Sequence, residues 1–85
     1  MPHEVQFIPA AARQFRKLPL HIRKRIRESL EKLRTNPRPN SVKKMSGYDD
    51  RWRIRVGDYR VIYQIKDDVL QILIVRVAHR RDVYR

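Results

Sequence analysis

The architecture turns on residues 52–63, Trp52-Arg53-Ile54-Arg55-Val56-Gly57-Asp58-Tyr59-Arg60-Val61-Ile62-Tyr63. Apolar and basic side chains alternate up to Val56, a glycine and an aspartate follow, and the alternation resumes at Tyr59. Period two on both sides of a two-residue Gly-Asp loop marks a β-hairpin. Such a loop pairs Val56 with Tyr59, and residues that face each other across the pair share one side of the sheet. One side then carries Trp52, Ile54, Val56, Tyr59, Val61 and Tyr63, a surface for helices to cover. The other carries Arg53, Arg55, Arg60, Ile62 and Gln64. In this register Arg55 lies opposite Arg60, and like charges so placed destabilise a pair by up to about 1 kcal/mol. A site made to hold a phosphate justifies that cost, because guanidinium groups donate paired hydrogen bonds to phosphate oxygens. The solvated face of a half-exposed sheet accounts for the same pattern.

Upstream of the hairpin the period changes from two to that of a helix. Ile22, Ile26, Leu30 and Leu33 form a stripe at spacings of four, four and three, which predicts a helix from about Pro19 to Thr35. Its other faces carry Arg23, Lys24, Arg25, Arg27, Lys32 and Arg34, and the run Asn36-Pro37-Arg38-Pro39-Asn40 ends it. A shorter helix is expected from Pro9 to Leu18, with Ala11, Phe15 and Leu18 on its apolar side. Pro9 suits a first helical position, where its missing N–H has no partner to lose. Before it, Val5 and Phe7 alternate within a short strand, His3 to Ile8. A strand around Val42 to Met45 is expected to continue into Trp52–Val56. Asp67-Asp68 marks a reversal before a last strand, Val69 to Val77. The expected fold is α+β in the order βααβββ, an antiparallel sheet with an N-terminal helical hairpin on one face.

Eighty-five residues make a single domain over 1–85, with no second core. The absence of cysteine excludes disulfides and thiolate metal sites, and the three histidines (His3, His21, His79) lack metal-ligand spacing. No metal or cofactor is expected. No run nears the roughly 18 apolar residues of a membrane span, and the start has no secretory pattern, so a cytoplasmic protein is expected. The formal charge is +12. Residues 1–50 hold twelve basic and five acidic side chains, and residues 51–85 hold nine and four. Folded surfaces, not a tail, carry the excess. Self-repulsion of that size is usually relieved by a polyanion, most often nucleic acid.

The stretch after the last strand is dense in polar groups: Ala78-His79-Arg80-Arg81-Asp82-Val83-Tyr84-Arg85. It supplies an imidazole, guanidiniums and a phenol within six residues. Taken singly, a histidine or a tyrosine placed like His79 or Tyr84 is more often a packing or exposed side chain than a functional one.

Residues 52–63 together with His79-Arg80-Arg81-Asp82-Val83-Tyr84 resemble the two signatures of the RelE/ParE toxin superfamily. Lys17-Leu18-Pro19, Pro37 and Lys43-Lys44-Met45-Ser46-Gly47 match its weaker markers in the right order, so the resemblance spans Val5 to Tyr84. It implies a small sheet with a helical hairpin and, for RelE-like members, metal-independent cleavage of messenger RNA in the ribosomal A site. Carried over by position, it implies that Arg53 and Arg55 are the basic pair of the middle strand and Arg60 the essential arginine of the next. The C-terminal arginine and tyrosine fall on Arg80 and Tyr84. In that chemistry a ribose 2′-hydroxyl attacks the adjacent phosphate, giving a cyclic phosphate and a free 5′-hydroxyl. Positioned cations stabilise the charge that develops on the phosphate oxygens. Arg60 and Arg80 suit this task, and Tyr84 offers a face for stacking a base.

The founding RelE pattern has lysines where this chain has Arg53 and Arg55. Arginine stays protonated and is a poor base, which makes His79 the candidate for proton transfer. Arg23, Lys24, Arg27, Lys43 and Lys44 are expected to rest on ribosomal RNA, although plain solubility explains each of them singly. The resemblance further implies an acidic RelB-like antitoxin and a toxin–antitoxin hetero-oligomer, with no membrane partner. Two alternatives stay open: a ParE-like protein that inhibits DNA gyrase by contact, and a noncatalytic RNA-binding module.

Overall fold

The computed structural model describes residues 2–47 and 50–83. The chain runs β1 (Glu4–Phe7), α1 (Pro9–Arg16), α2 (Leu20–Thr35), β2 (Lys43–Lys44), β3 (Arg51–Val56), β4 (Tyr59–Lys66), β5 (Gln71–His79) and α3 (Arg80–Val83). The strands form one sheet in the order β1-β5-β4-β3-β2. The α+β class stands, with three differences from the expected arrangement. First, β2 is not the start of β3 but pairs antiparallel with it, Lys43 against Arg53 and Lys44 against Trp52. The chain leaves β2 through Gly47, whose φ of +83° is a turn conformation that glycine adopts freely.

Second, the sheet is mixed, because β1 runs parallel to β5 from Glu4↔Gln71 to Phe7↔Ile74. A tight turn dictates antiparallel pairing, but no turn joins these two strands, so packing decides their direction. Val5 and Phe7 lean on the core. Third, β5 begins at Gln71 rather than Val69. Asp67–Val69 close a 3-10 turn and Leu70 takes φ +50°, which leaves Val69 and Leu70 exposed.

The hairpin register follows the expectation at every pair, from Val56↔Tyr59 and Arg55↔Arg60 to Trp52↔Tyr63. Gly57 sits at φ +58°, as a two-residue loop of this twist requires. Helices cover one side only. Ala11 and Phe15 of α1 and Ile26, Leu30 and Leu33 of α2 are buried with Ile54, Val56, Val61, Tyr63, Ile65, Ile72, Ile74 and Val77 of the sheet. Full burial of one such aliphatic or aromatic side chain contributes about 1.5–3 kcal/mol. The Tyr63 hydroxyl reaches through this layer and donates to the carbonyl of Pro37 at 2.8 Å.

One irregularity in β5 decides which way its C-terminal half faces. Pairing runs Tyr63↔Ile74 and then Ile62↔Arg76, so Val75 is an extra residue on β5. Without this bulge Arg76 would oppose Val61 and point into the core. With it, Val77 fills that place and Arg76 turns to the uncovered side. Gln14 of α1 supports the edge here, its side-chain oxygen accepting from the backbone N–H of Val77 at 2.8 Å.

A polar clasp ties the far end of the sheet. His3 donates its backbone N–H to the carbonyl of Arg34, and its ring Nε2 lies 3.1 Å from Asp67 Oδ1. Arg38 Nη2 donates to Asp67 Oδ2 at 2.8 Å while its guanidinium lies over the Trp52 ring, 5.5 Å from the centroid. The Arg38 hydrogen bond, with a further one from His3, holds the Asp67 carboxyl below the usual aspartate range. Burial pushes the Tyr63 phenol well above its ordinary value.

Candidate nucleic-acid interface

Alternation and register sort the uncovered side of the sheet into rows that run across the strands. One row is Lys43, Arg53, Ile62 and Arg76, from β2, β3, β4 and β5 in turn. The next is Arg55, Arg60 and Ala78, and on the other flank stand Arg51, Gln64 and Leu73. Six cations, Lys43, Arg51, Arg53, Arg55, Arg60 and Arg76, thus share one face. Near β1 the face is amide-rich instead: Gln71 donates to Gln6 at 2.8 Å, and Gln6 to Glu4 at 3.1 Å.

Four of these cations, Lys43, Arg53, Arg55 and Arg60, line with Ser41 a cavity of about 250 Å³. Arg60 is 7% exposed, and its Nη1 donates to the Tyr59 carbonyl at 3.3 Å. Arg55 is exposed, with Nε 3.4 Å from the Gly57 carbonyl. Burying one guanidinium directly across from another costs free energy twice, through desolvation and through repulsion. An anion in the cavity would reduce both costs, because a charge-assisted bond in a sheltered site is stronger than one in water. Ile62, 5% exposed, forms an apolar floor beside them.

The C-terminal residues divide. Arg80 opens α3 at the hairpin end: its backbone N–H donates to the Asp58 carbonyl at 2.7 Å, and its Nε lies 3.9 Å from Asp58 Oδ1. His79, the candidate for proton transfer, stands apart from the arginine rows. It pairs with Tyr59 and so lies on the side of the sheet opposite Arg60 and Ala78. Its ring meets that of Tyr59 edge-on, centroids 5.4 Å apart, and Nδ1 faces the backbone N–H of Arg81 at 3.4 Å. Tyr84 lies outside the described residues.

The expected ribosome contacts divide as well. Lys43 joins the arginine rows, whereas Lys44, opposite Trp52, is on the other side of the sheet. Arg23, Lys24 and Arg27 belong to α2, in the covering layer, and Arg27 lies 5.3 Å over the Phe15 ring. Arg23 Nε is buried without a hydrogen-bond partner among the described residues. Three members of the face were not singled out from sequence. Arg51 continues the alternation of Arg53 and Arg55 one step back and was readable. Arg76 needed the bulge, and Ser41 comes from a loop. Among the described residues, no group of three His, Cys, Asp or Glu side chains is placed to hold a metal ion.

Residues 5–84 match the family model of the ParE toxin of the type II toxin–antitoxin system parDE. Toxin RelE3 of Methanocaldococcus jannaschii is 34% identical over 85 residues, covering 95% of this chain and 94% of that protein. Toxin RelG of Mycobacterium tuberculosis is 35% identical over 91 residues, covering 100% and 99%. The RelE–RelB complex of Pyrococcus horikoshii contains a chain that superposes with a TM-score of 0.82 at 29% identity, over 94% of this chain and 97% of that one.

Proposed function

We propose that this chain, which belongs to the ParE toxin family of type II toxin–antitoxin systems within the RelE/ParE superfamily, is an endoribonuclease that cuts messenger RNA in the ribosomal A site. The observation that supports this most is the buried Arg60 directly across from Arg55 at a cavity that Lys43 and Arg53 also line. A surface kept only for solubility has no reason to bury one of its cations against another.

In the reaction, the 2′-oxygen forms a bond to the neighbouring phosphorus while the bond from phosphorus to the 5′-oxygen breaks. The products are a 2′,3′-cyclic phosphate and a 5′-hydroxyl, so one proton leaves the 2′-hydroxyl and one reaches the 5′-oxygen. Arg55 and Arg60 hold the phosphate and stabilise its extra charge in the transition state, a contribution that grows in a sheltered site. Arg53 and Lys43 orient the strand, and Arg80, fixed at the hairpin end, adds a cation from the other side. Tyr84 stacks on a base to set the nucleotide. A guanidinium is a poor base, so these side chains serve as charge stabilisers, and water takes the 2′-hydroxyl proton and returns one to the 5′-oxygen. The basic surface of α2 rests on ribosomal RNA.

A natural partner is an acidic antitoxin segment resembling RelB, the protein held in the P. horikoshii complex. Charge complementarity makes its encounter fast at low salt and slower at high salt. The family model bears the name of ParE, which supports a second reading in which the same surface grips DNA gyrase.

The test is translation of a defined message in vitro with primer-extension mapping, wild type against Arg60→Ala. Ribosome-dependent cuts that disappear with Arg60→Ala are expected. An intact message with well-folded wild-type protein would overturn the proposal, and inhibition of supercoiling would then establish the gyrase reading.

A further inference from the structure

We infer that Arg76 is a second phosphate-binding residue of the interface, one that grips the RNA backbone at a linkage next to the reacting one. The inference rests on the nuclease reading and extends it to a residue that neither the hairpin signature nor the C-terminal signature contains. Three observations carry it. The bulge at Val75 is what brings Arg76 to the uncovered side, and without it the strand would place a guanidinium against Val61 in the core. Bulges that re-aim a single side chain recur next to active sites.

Arg76 also completes the row Lys43, Arg53, Ile62, Arg76, with cations at both ends and the buried Ile62 between. Three strand spacings separate its ends, roughly 14 Å. A diagonal of about 7–8 Å separates Arg76 from Arg60, one pair further along β4 and β5. That is the scale on which successive phosphates follow one another in a single strand. A strand laid across the row would set one phosphate at Arg55 and Arg60 and the next at Arg76, with a base over Ile62.

Finally, Arg76 Nη2 donates to the carbonyl of Asp82 in α3 at 3.0 Å. This fixes the long side chain at the border of the sheet face and α3. A guanidinium held by one hydrogen bond keeps other N–H groups for a phosphate and loses little side-chain entropy on binding it.

The alternative is that Arg76 only fastens α3. A chemical double-mutant cycle separates the two. Programmed ribosomes would carry messages with one neutral methylphosphonate at the linkage on either side of the scissile one, and single-turnover cleavage would be followed. For wild type, one of the two neutral linkages should slow cleavage about tenfold or more, the worth of a hydrogen bond to a charged group. Arg76→Ala should slow cleavage of the natural message by a similar factor, with no further loss on that neutral linkage. Arg76→Lys should restore part of the rate and part of the sensitivity. Losses that multiply at both linkages would overturn the inference and leave Arg76 as a fastener of α3, with the nuclease reading intact. A wild-type protein that cuts none of the messages would overturn both.

Discussion

Replacing Arg60 with methionine should separate stability from activity. Methionine keeps most of the buried stem and removes the charge, so packing around this position, 7% exposed in the native protein, is largely kept. The cross-strand repulsion with Arg55 disappears, a gain of several tenths of a kcal/mol to about 1 kcal/mol. The lost bond to the Tyr59 carbonyl, 3.3 Å long, offsets part of it. The net expectation is a stability that is unchanged or higher by up to about 1 kcal/mol. For a domain of this size 1 kcal/mol moves Tm by roughly 4–8 °C. Catalysis should fall by about 10²–10³, the usual cost of removing one preorganised donor from a developing anion.

Thermal unfolding at low and high salt, beside primer-extension rates, makes the check. Salt should raise Tm of the wild type more than that of Arg60→Met, because it screens the repulsion that the variant lacks. A variant destabilised by more than about 1 kcal/mol, or one with full activity, would refute the reasoning: Arg60 would then be a structural residue.

Three further outcomes are expected. His79→Phe, which keeps the edge-on contact with Tyr59, should leave cleavage within about threefold of wild type and its pH profile unchanged; loss of a pH limb would assign His79 the proton transfer. Asp67→Asn should remove acid sensitivity. The lowered Asp67 pKa contributes stability above the usual aspartate range that is lost as pH falls through the folded-state value, so the gap in Tm between wild type and variant should narrow as pH falls through and below that range. Gly57→Ala meets both a φ of +58° and the Arg25 guanidinium 3.0 Å from the added carbon, and denaturant melts should show a loss of about 1–2 kcal/mol.

Much of this molecule is local, and local features were legible. The Gly57-Asp58 loop and the alternation around it specify the whole β3–β4 register, including the Arg55–Arg60 opposition. The stripe Ile26, Leu30, Leu33 and the paired prolines place the helices. What escaped is set by residues far apart in the chain. No short-range signal states that β1 lies parallel to β5, because that pairing is decided by shared burial. His79 and Arg76 were obscured by the bulge, since one extra residue reverses the facing of every position on one side of it. A trace was present all the same: the buried positions Ile72, Ile74 and Val77 step by two and then by three. Read so, the last strand would have turned Arg76 outward and His79 toward Tyr59.

The order β1-β5-β4-β3-β2 also sets the timing of synthesis. β5 lies between β1 and β4, yet it is made after both. While the chain is growing, β1 has no strand partner, and it is joined to the β2–β3–β4 ribbon only through the helices, α2 packing on both β1 and β3. Helices and hairpins of such a chain can form as they emerge, but the sheet closes only when its inner strand arrives. Arg76 and Arg80 enter with that same stretch. The basic face is therefore incomplete until β5 has been made, and until then β3 and β4 present their arginines from a ribbon that lacks its inner neighbour.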